Sequence, residues 1–189
     1  MNPSRSAFAR RYLSSLSGVL EKVSCDDIAK AMEILVDARK ARRTVFLAGN
    51  GGSAATASHM ANDLMKTVVS GRDTCGLRAL SLSDNAQLLT PIANDMDYQD
   101  VFAEQLKHLA CEGDVLIVIS GSGNSKNIIR AVETAKRLRL TTIGFLGKGG
   151  GKVKGMVDVA VIVPSDDYGP IEDAHLVFNH LITEYLKGT

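Results

Sequence analysis

The sequence is poor in cysteine, carries almost no net charge and contains no long uninterrupted apolar run. Its three cysteines, Cys25, Cys75 and Cys111, form no C-x-x-C pair, and an odd number argues against a disulfide framework. We therefore expect a reducing, cytoplasmic location. The 22 basic and 21 acidic residues leave a net charge of +1, so no electrostatic feature predicts a nucleic acid or an acidic membrane as partner.

Long apolar segments are missing as well. No stretch reaches the roughly 18 consecutive apolar residues that a membrane helix needs. Residues 1–16 contain no apolar segment of the length typical of signal peptides. The 189 residues, 45% of them hydrophobic and 23% charged, suffice for a globular protein with a sizeable core. We expect one domain over residues 1–189.

Hydrophobic periodicity predicts helices that alternate with short strands. Helices are predicted at 5–22, 25–40, 53–69, 98–111, 124–138 and 171–187. Strands are predicted at 43–50, 77–84, 114–121, 140–147 and 157–165. This alternation indicates an α/β fold, a three-layer αβα sandwich around a five-stranded parallel sheet. The helices within residues 1–42 precede the α/β core of residues 43–189, and we favour packing on a partner subunit over covering one end of the sheet.

Two loops rich in small residues follow predicted strands. They are "GNGGSA" (49–54) and "SGSGNSKN" (120–127), and ligands of open α/β sheets bind at such strand ends. Glycine lets backbone N–H groups approach an anion, serine donates to it, and a helix N-terminus adds favourable potential. Neither loop matches a dinucleotide or P-loop fingerprint. Glycine also serves tight turns, but the serine cluster of the second loop favours a phosphate. We interpret "GKGGGK" (147–152) as a mobile basic turn.

Two helices carry candidate acid/base or metal-binding groups. His59 and Asp63 are four residues apart, so both can face one centre on a helix. Glu172 and His180 lie about 80° apart around the last helix and can share one flank, whereas His175 lies on another face. Two histidines and two carboxylates form a plausible zinc set only if the two helices meet. Taken alone, each histidine is more often a hydrogen-bonded core or interface residue.

Four motifs together resemble a known family. They are "GNGGSAATASHMANDL", "LLTPIANDMDY", "GDVLIVISGSGNSKNI" and "IEDAHLVFNH". In this order they resemble the sugar isomerase (SIS) domain, and more closely the bacterial phosphoheptose isomerases, from about residue 45 to 187. The resemblance implies a flavodoxin-like or Rossmann-like fold and an isomerase of carbohydrate metabolism. Its reaction interconverts sedoheptulose 7-phosphate and D-glycero-D-manno-heptose 7-phosphate through an enediol(ate), toward lipopolysaccharide or other surface polysaccharide.

The resemblance also implies the residues of the active site. The phosphate would bind at Ser120, Ser122 and Ser125, and sugar hydroxyls at Asn94 and Asp95. The full set of implied substrate contacts is Asn50, Gly51, Gly52, Ser53, Asn94, Asp95, Ser120, Gly121, Ser122, Ser125 and Glu172. The implied Zn²⁺ ligands are His59, Asp63, Glu172 and His180. Asp63 and His180 are also the implied base and acid. A homotetramer with active sites at subunit interfaces is implied too.

The chain departs from the family pattern at four places. Asp63 stands where the family has glutamate, Glu172 where it has glutamine, and Gly121 where it has threonine. Pro170 begins the last motif in place of arginine. Because a carboxylate cannot easily serve as tight ligand and free base together, we expect His180 to carry the proton if Asp63 binds the metal.

Two alternatives to this isomerase remain open at the level of sequence. Some SIS proteins are non-catalytic and bind a replication initiator or sense sugar phosphates, but the ionisable groups at 63 and 180 favour an enzyme. The altered ligand set also leaves room for an isomerase of another sugar phosphate.

Overall fold

Five parallel strands form one sheet in the order β2-β1-β3-β4-β5. The structure, a computed structural model, describes residues 4–69 and 75–188. The strands are β1 (Thr44–Gly49), β2 (Arg78–Ser81), β3 (Val115–Ser120), β4 (Thr141–Leu146) and β5 (Val159–Ile162). Each lies within a predicted strand, and the predicted five-stranded parallel sheet is confirmed.

Seven α-helices flank the sheet in the described ranges. They are α1 (Arg5–Leu20), α2 (Cys25–Lys40), α3 (Gly52–Asn62), α4 (Ala86–Asp95), α5 (Ala103–Leu109), α6 (Lys126–Arg137) and α7 (Tyr168–Lys187). A π-helical segment, Asp63–Thr67, continues α3. The predicted helix 98–111 is wrong as one element, because a 3-10 turn at Tyr98–Asp100 precedes α5. Helix α4, which contains Pro91, was not predicted.

Alternate residues of each central strand enter two separate cores, because successive side chains of a strand point to opposite faces. Val45 and Leu47 of β1 lie in one core with residues of α2, α3 and α7. Phe46 and Ala48 lie in the other core with residues of α5 and α6. All four side chains are buried. The strands therefore read as continuous apolar runs, as expected for a sheet covered on both faces.

The strand order reverses between β1 and β3, since β2 lies on one side of β1 and β3 on the other. Helix α3, which follows β1, packs on one face of the sheet, and α6, which follows β3, packs on the opposite face. The two strand-to-helix loops diverge and leave a crevice between them. Such a switch point is where ligands bind in open α/β sheets.

Helix α1 leaves apolar side chains on the surface. None of its residues, all of which the structure describes, is buried, and Phe8 and Leu13 are 60% and 65% exposed. The Tyr12 hydroxyl donates a 2.6 Å hydrogen bond to Asp173 of α7 and thereby holds α1 on that helix. In the described part of the chain, no helix is both long and apolar enough to cross a bilayer.

His175 of α7 is buried beside Phe145 and Phe178. Neither ring nitrogen has a hydrogen-bond partner of normal geometry among the described residues. Burial lowers the pKa of His175 from 6.5 to about 4, and the nearby Leu146 backbone offsets this shift only in part. The His175 imidazole is therefore neutral in the folded protein at neutral pH.

The buried histidine should make the protein sensitive to acid. The unfolded chain protonates His175 near pH 6.5 and the folded chain only near pH 4, so stability is lost as the pH falls through this window. Between pH 7 and 4 the loss from this group amounts to about 3 kcal/mol. We expect His175→Leu to flatten the pH dependence of the free energy of unfolding, measured by urea titration. The exposed His108→Gln serves as control, and equal slopes for both variants and the wild type would contradict the assignment.

Candidate active site

A cavity of about 190 Å³ lies at the switch point between β1 and β3. It is lined by Asn50, Ser53, Ile119, Ser120, Gly121, Ser122, Ser125, Tyr168 and Glu172. These residues come from the end of β3, the loops after β1 and β3, and the first turns of α3 and α7. The structure thus brings together most of the predicted substrate-binding residues. Ile119 and Tyr168 were not predicted.

The serine loop (residues 120–125) holds its own shape through side-chain hydrogen bonds. The Ser120 hydroxyl accepts a 3.1 Å bond from the Gly123 N–H, and the Ser122 hydroxyl accepts a 3.2 Å bond from the Asn124 N–H. Ser125 precedes α6, and its hydroxyl caps no N–H of that helix within the described residues. Hydroxyls and a helix N-terminus at one end of a cavity are groups that bind an oxyanion.

A glycine loop (residues 147–152) supports the serine loop from behind. Gly123 has φ +61°, and a Cβ there would lie 2.0 Å from the Gly150 carbonyl oxygen. The Val153 N–H donates to the Gly123 carbonyl, and the Lys152 N–H donates to the Asn124 side chain. The prediction of a mobile turn at residues 147–152 is therefore corrected, because this loop packs against the serine loop. The pattern of glycines and lysines alone did not reveal that contact.

A reciprocal amide pair joins the loop after β1 to the first turn of α6. Asn50 donates to Asn127 at 2.9 Å, and Asn127 donates back to Asn50 at 2.8 Å. The Tyr98 hydroxyl also donates to Asn50, at 3.0 Å. Asn127 is buried, and a buried amide is stable only when its polar atoms are paired. Sequence reasoning missed Asn127 and Tyr98, because only the fold shows that α6 starts beside the loop after β1.

Tyr168 forms one wall of the cavity directly over Gly121. A Cβ at Gly121 would lie 2.8 Å from Cε1 of the Tyr168 ring. The Lys148 ammonium lies 3.9 Å from the centroid of the same ring, in cation–π contact. Glycine at 121 thus makes room for the aromatic side chain of Tyr168.

Three candidate metal ligands meet two turns further along the helices. Ligand atoms of His59, Asp63 and His180 all lie within 4.8 Å of one another. The His59 and His180 rings are 5.1 Å apart, and His59 Nε2 lies 3.3 Å from Asp63 Oδ2. Two imidazoles and one carboxylate form a set that catalytic zinc sites use, with a further position left for substrate. The donor set therefore fits a metal ion.

Other predicted site residues lie apart from this group. Within the described ranges Glu172 is not a member of it, and instead packs against Gly52, where a Cβ would lie 2.5 Å from Glu172 Oε2. Gly51 precedes α3 with φ +54°. Asn94 and Asp95 are exposed at the end of α4, where the Asn94 amide donates a 2.8 Å hydrogen bond to the Asp95 carboxylate. Neither residue is among the described residues that line the cavity. Their roles remain predictions.

Comparison with known proteins agrees with the fold. The family model described as "SIS domain" matches residues 8–147. A phosphoheptose isomerase of Clostridium acetobutylicum is 41% identical over 162 residues, 86% of this chain and 82% of that protein. One of Aliarcobacter butzleri is 37% identical and covers 97% of both chains. The solved structure of phosphoheptose isomerase from Neisseria gonorrhoeae superposes with a TM-score of 0.89 at 29% identity, covering 99% of this chain and 100% of that one.

Fold, switch-point cavity and family model together define a SIS-domain protein. Within that class, identity over most of both chains is decisive: the chain belongs to the phosphoheptose isomerase family. The resemblance inferred from the four sequence motifs is confirmed.

The contact between Gly121 and Tyr168 can be tested by a double-mutant cycle. We expect Gly121→Ala to destabilise the protein by about 0.5–1.5 kcal/mol, because its Cβ would displace the half-exposed Tyr168 ring from its rotamer. The loss should shrink when Tyr168→Ala is added. Urea unfolding measures both terms, and Gly155→Ala, whose Cβ meets no atom within 4 Å, is the matched control. Additive effects of the two substitutions would contradict the contact.

Proposed function

We propose that the protein interconverts sedoheptulose 7-phosphate and D-glycero-D-manno-heptose 7-phosphate. One observation carries this proposal: the cavity and the three-ligand group lie along the same two helices. Helix α3 and its π continuation contribute Ser53 to the cavity and His59 and Asp63 to the group. Helix α7 contributes Glu172 and His180 in the same order, roughly 12 Å apart along its axis. A phosphorylated sugar chain lying between α3 and α7 would reach both.

The phosphate occupies the end of the groove nearest the serine loop. Ser120 and Ser122 already orient their loop through hydrogen bonds, and the Ser125 hydroxyl precedes the N-terminus of α6. These groups anchor the substrate at a fixed distance from the reacting carbons, which lowers the entropy cost of reaction. Glu172 and Asn50, which line the same cavity, face the sugar hydroxyls.

The reacting carbons lie at the other end, beside His59, Asp63 and His180. A Zn²⁺ ion bound there would act as a Lewis acid on the oxygens of C1 and C2. The reaction moves a proton from C1 of the ketose to C2 through an enediol(ate), while the hydroxyl proton of C1 passes to the oxygen of C2. A side chain that carries the carbon-bound proton must reach both carbons.

His180 is the better placed of the two predicted proton carriers. Its side chain is exposed, whereas Asp63 is 5% exposed. Both Asp63 oxygens also accept hydrogen bonds, from Thr67 and Asn179. Asp63 therefore serves as ligand, and His180, whose imidazole would have to be free of the metal during the transfer, carries the proton.

A cytoplasmic homotetramer with interface active sites completes the proposal. The exposed Phe8 and Leu13 of α1 support this assembly, because an apolar helix face gains stability when a partner subunit covers it. Residues 1–42 are then the oligomerisation segment of a single SIS domain. Three exposed thiols, at Cys25, Cys75 and Cys111, are typical of a reducing compartment. A non-catalytic SIS protein and an isomerase of another sugar phosphate are not favoured, since the named relatives are phosphoheptose isomerases.

Turnover of sedoheptulose 7-phosphate tests the activity. We expect the purified protein to form the aldose, to lose activity in a chelator and to regain it with added Zn²⁺. His180→Ala should lower kcat by about a hundredfold or more, and the exposed His108→Ala is the matched control. No turnover in the presence of Zn²⁺ would refute the proposed reaction. Unchanged turnover in His180→Ala would refute only the role of that residue.

The oligomeric state tests the role of α1. The wild type should sediment as a species of about 81 kDa, four times the 20.2 kDa chain. Leu13→Asp places a charge on the exposed apolar face and should shift the population toward smaller species, which analytical ultracentrifugation resolves. Lys30→Asp, on the exposed surface of α2, is the control. A monomeric wild type would refute the tetramer.

A further inference from the structure

We infer that Asn179 is a positioning residue that fixes the Asp63 carboxylate for metal binding. Asn179 immediately precedes His180 on α7, and its side chain is completely buried. Its Nδ2 donates a 2.8 Å hydrogen bond to Asp63 Oδ2. This inference rests on the metal site of the proposed function and adds a residue that the ligand set does not contain.

The Asp63 carboxylate is held from two directions. Thr67, at the end of the π-helical segment, donates a 2.9 Å hydrogen bond to Oδ1. Asn179 reaches across from α7 to Oδ2, and the same oxygen lies 3.3 Å from His59 Nε2. With one donor on each oxygen, both side-chain torsions of Asp63 are fixed.

The hydrogen bond from Asn179 fixes the direction of the remaining lone pair of Asp63 Oδ2. A carboxylate oxygen accepts at about two positions. Asn179 takes one position on Oδ2, which leaves the other toward His59 and His180. Because ligand atoms of all three side chains lie within 4.8 Å, the amide of Asn179 selects the carboxylate orientation that a shared metal requires.

The side chain at position 179 must donate a hydrogen bond to Asp63. Asn179 and His180 are successive residues, about 100° apart around α7, so the amide faces the buried carboxylate while the imidazole is exposed. The Thr183 hydroxyl lies 3.5 Å from the Asn179 carbonyl oxygen, which leaves the NH₂ group for Asp63. A carboxylate at 179 would repel Asp63, and an apolar side chain would leave its oxygen without this partner.

The length of Asp63 makes this support necessary. Aspartate carries its carboxylate on a single methylene, so its oxygens extend only a short way from the backbone of the π-helical segment. The Asn179 amide of α7 fixes the position of these oxygens. It also links the two helices that supply the three candidate ligands. Partners of metal ligands of this kind change metal affinity by about ten- to a hundredfold when removed.

Metal affinity of the apoprotein is the direct test. Zn²⁺ binding is measured by competition with a chromophoric chelator, and Co²⁺ binding by its visible absorption, for wild type, Asn179→Asp and Asn179→Leu. Both substitutions nearly preserve the volume of the side chain. We expect Zn²⁺ affinity to fall by about ten- to a hundredfold and the Co²⁺ bands to shift. Thr134→Val, which removes a buried hydroxyl of α6, is the control.

The kinetic readout separates positioning from a general loss of structure. The variants should show a lower kcat with nearly unchanged KM, because the phosphate anchor at the serine loop lies far from Asn179. If Asn179→Leu does not fold, Asn179→Asp carries the test, with circular dichroism as the check on folding. Zn²⁺ affinity within twofold of wild type in a folded variant would overturn the inference alone. A wild type that binds neither metal would overturn the metal site and this inference together.

Discussion

The reversal of strand order between β1 and β3 is the constraint on which the site depends. Because β2 and β3 lie on opposite sides of β1, the helices that follow β1 and β3 pack on opposite faces of the sheet. Their preceding loops separate and form the walls of the crevice. The reciprocal pair of Asn50 and Asn127 keeps these walls at a fixed distance. The serine loop, the glycine loop behind it and the first turn of α7 then complete the cavity.

The second constraint is the pairing of α3 with α7. Their N-terminal turns border the cavity, and their next turns supply His59, Asp63 and His180. A polar group at this depth would be costly without partners, and Asp63 has them in Thr67 and Asn179. The same contacts that satisfy the buried carboxylate also fix the position of a proposed metal ligand. Stability and chemistry therefore depend on one set of hydrogen bonds.

The sequence predicted what periodicity and local motifs encode. The strands, the parallel sheet and the serine loop could be found because fully buried strands are apolar throughout and the loop after β3 is rich in small residues. Helix α4 was missed, since Pro91 interrupts the helical pattern. Tyr168, Asn127 and Asn179 carry no local signal: each acts through a residue distant in the chain, Gly121, Asn50 and Asp63 respectively. The separation of Glu172 from the three-ligand group likewise depends on side-chain directions that spacing alone does not fix.

Anomalous X-ray scattering at the zinc edge, from crystals grown with Zn²⁺ and sedoheptulose 7-phosphate, tests the central claim most directly. The claim is that one groove between α3 and α7 binds a metal at one end and a phosphate at the other. The account predicts an anomalous peak within bonding distance of His59, Asp63 and His180, together with phosphate density at Ser120, Ser122 and Ser125. A peak bound elsewhere, or a sugar phosphate outside this groove, would contradict it.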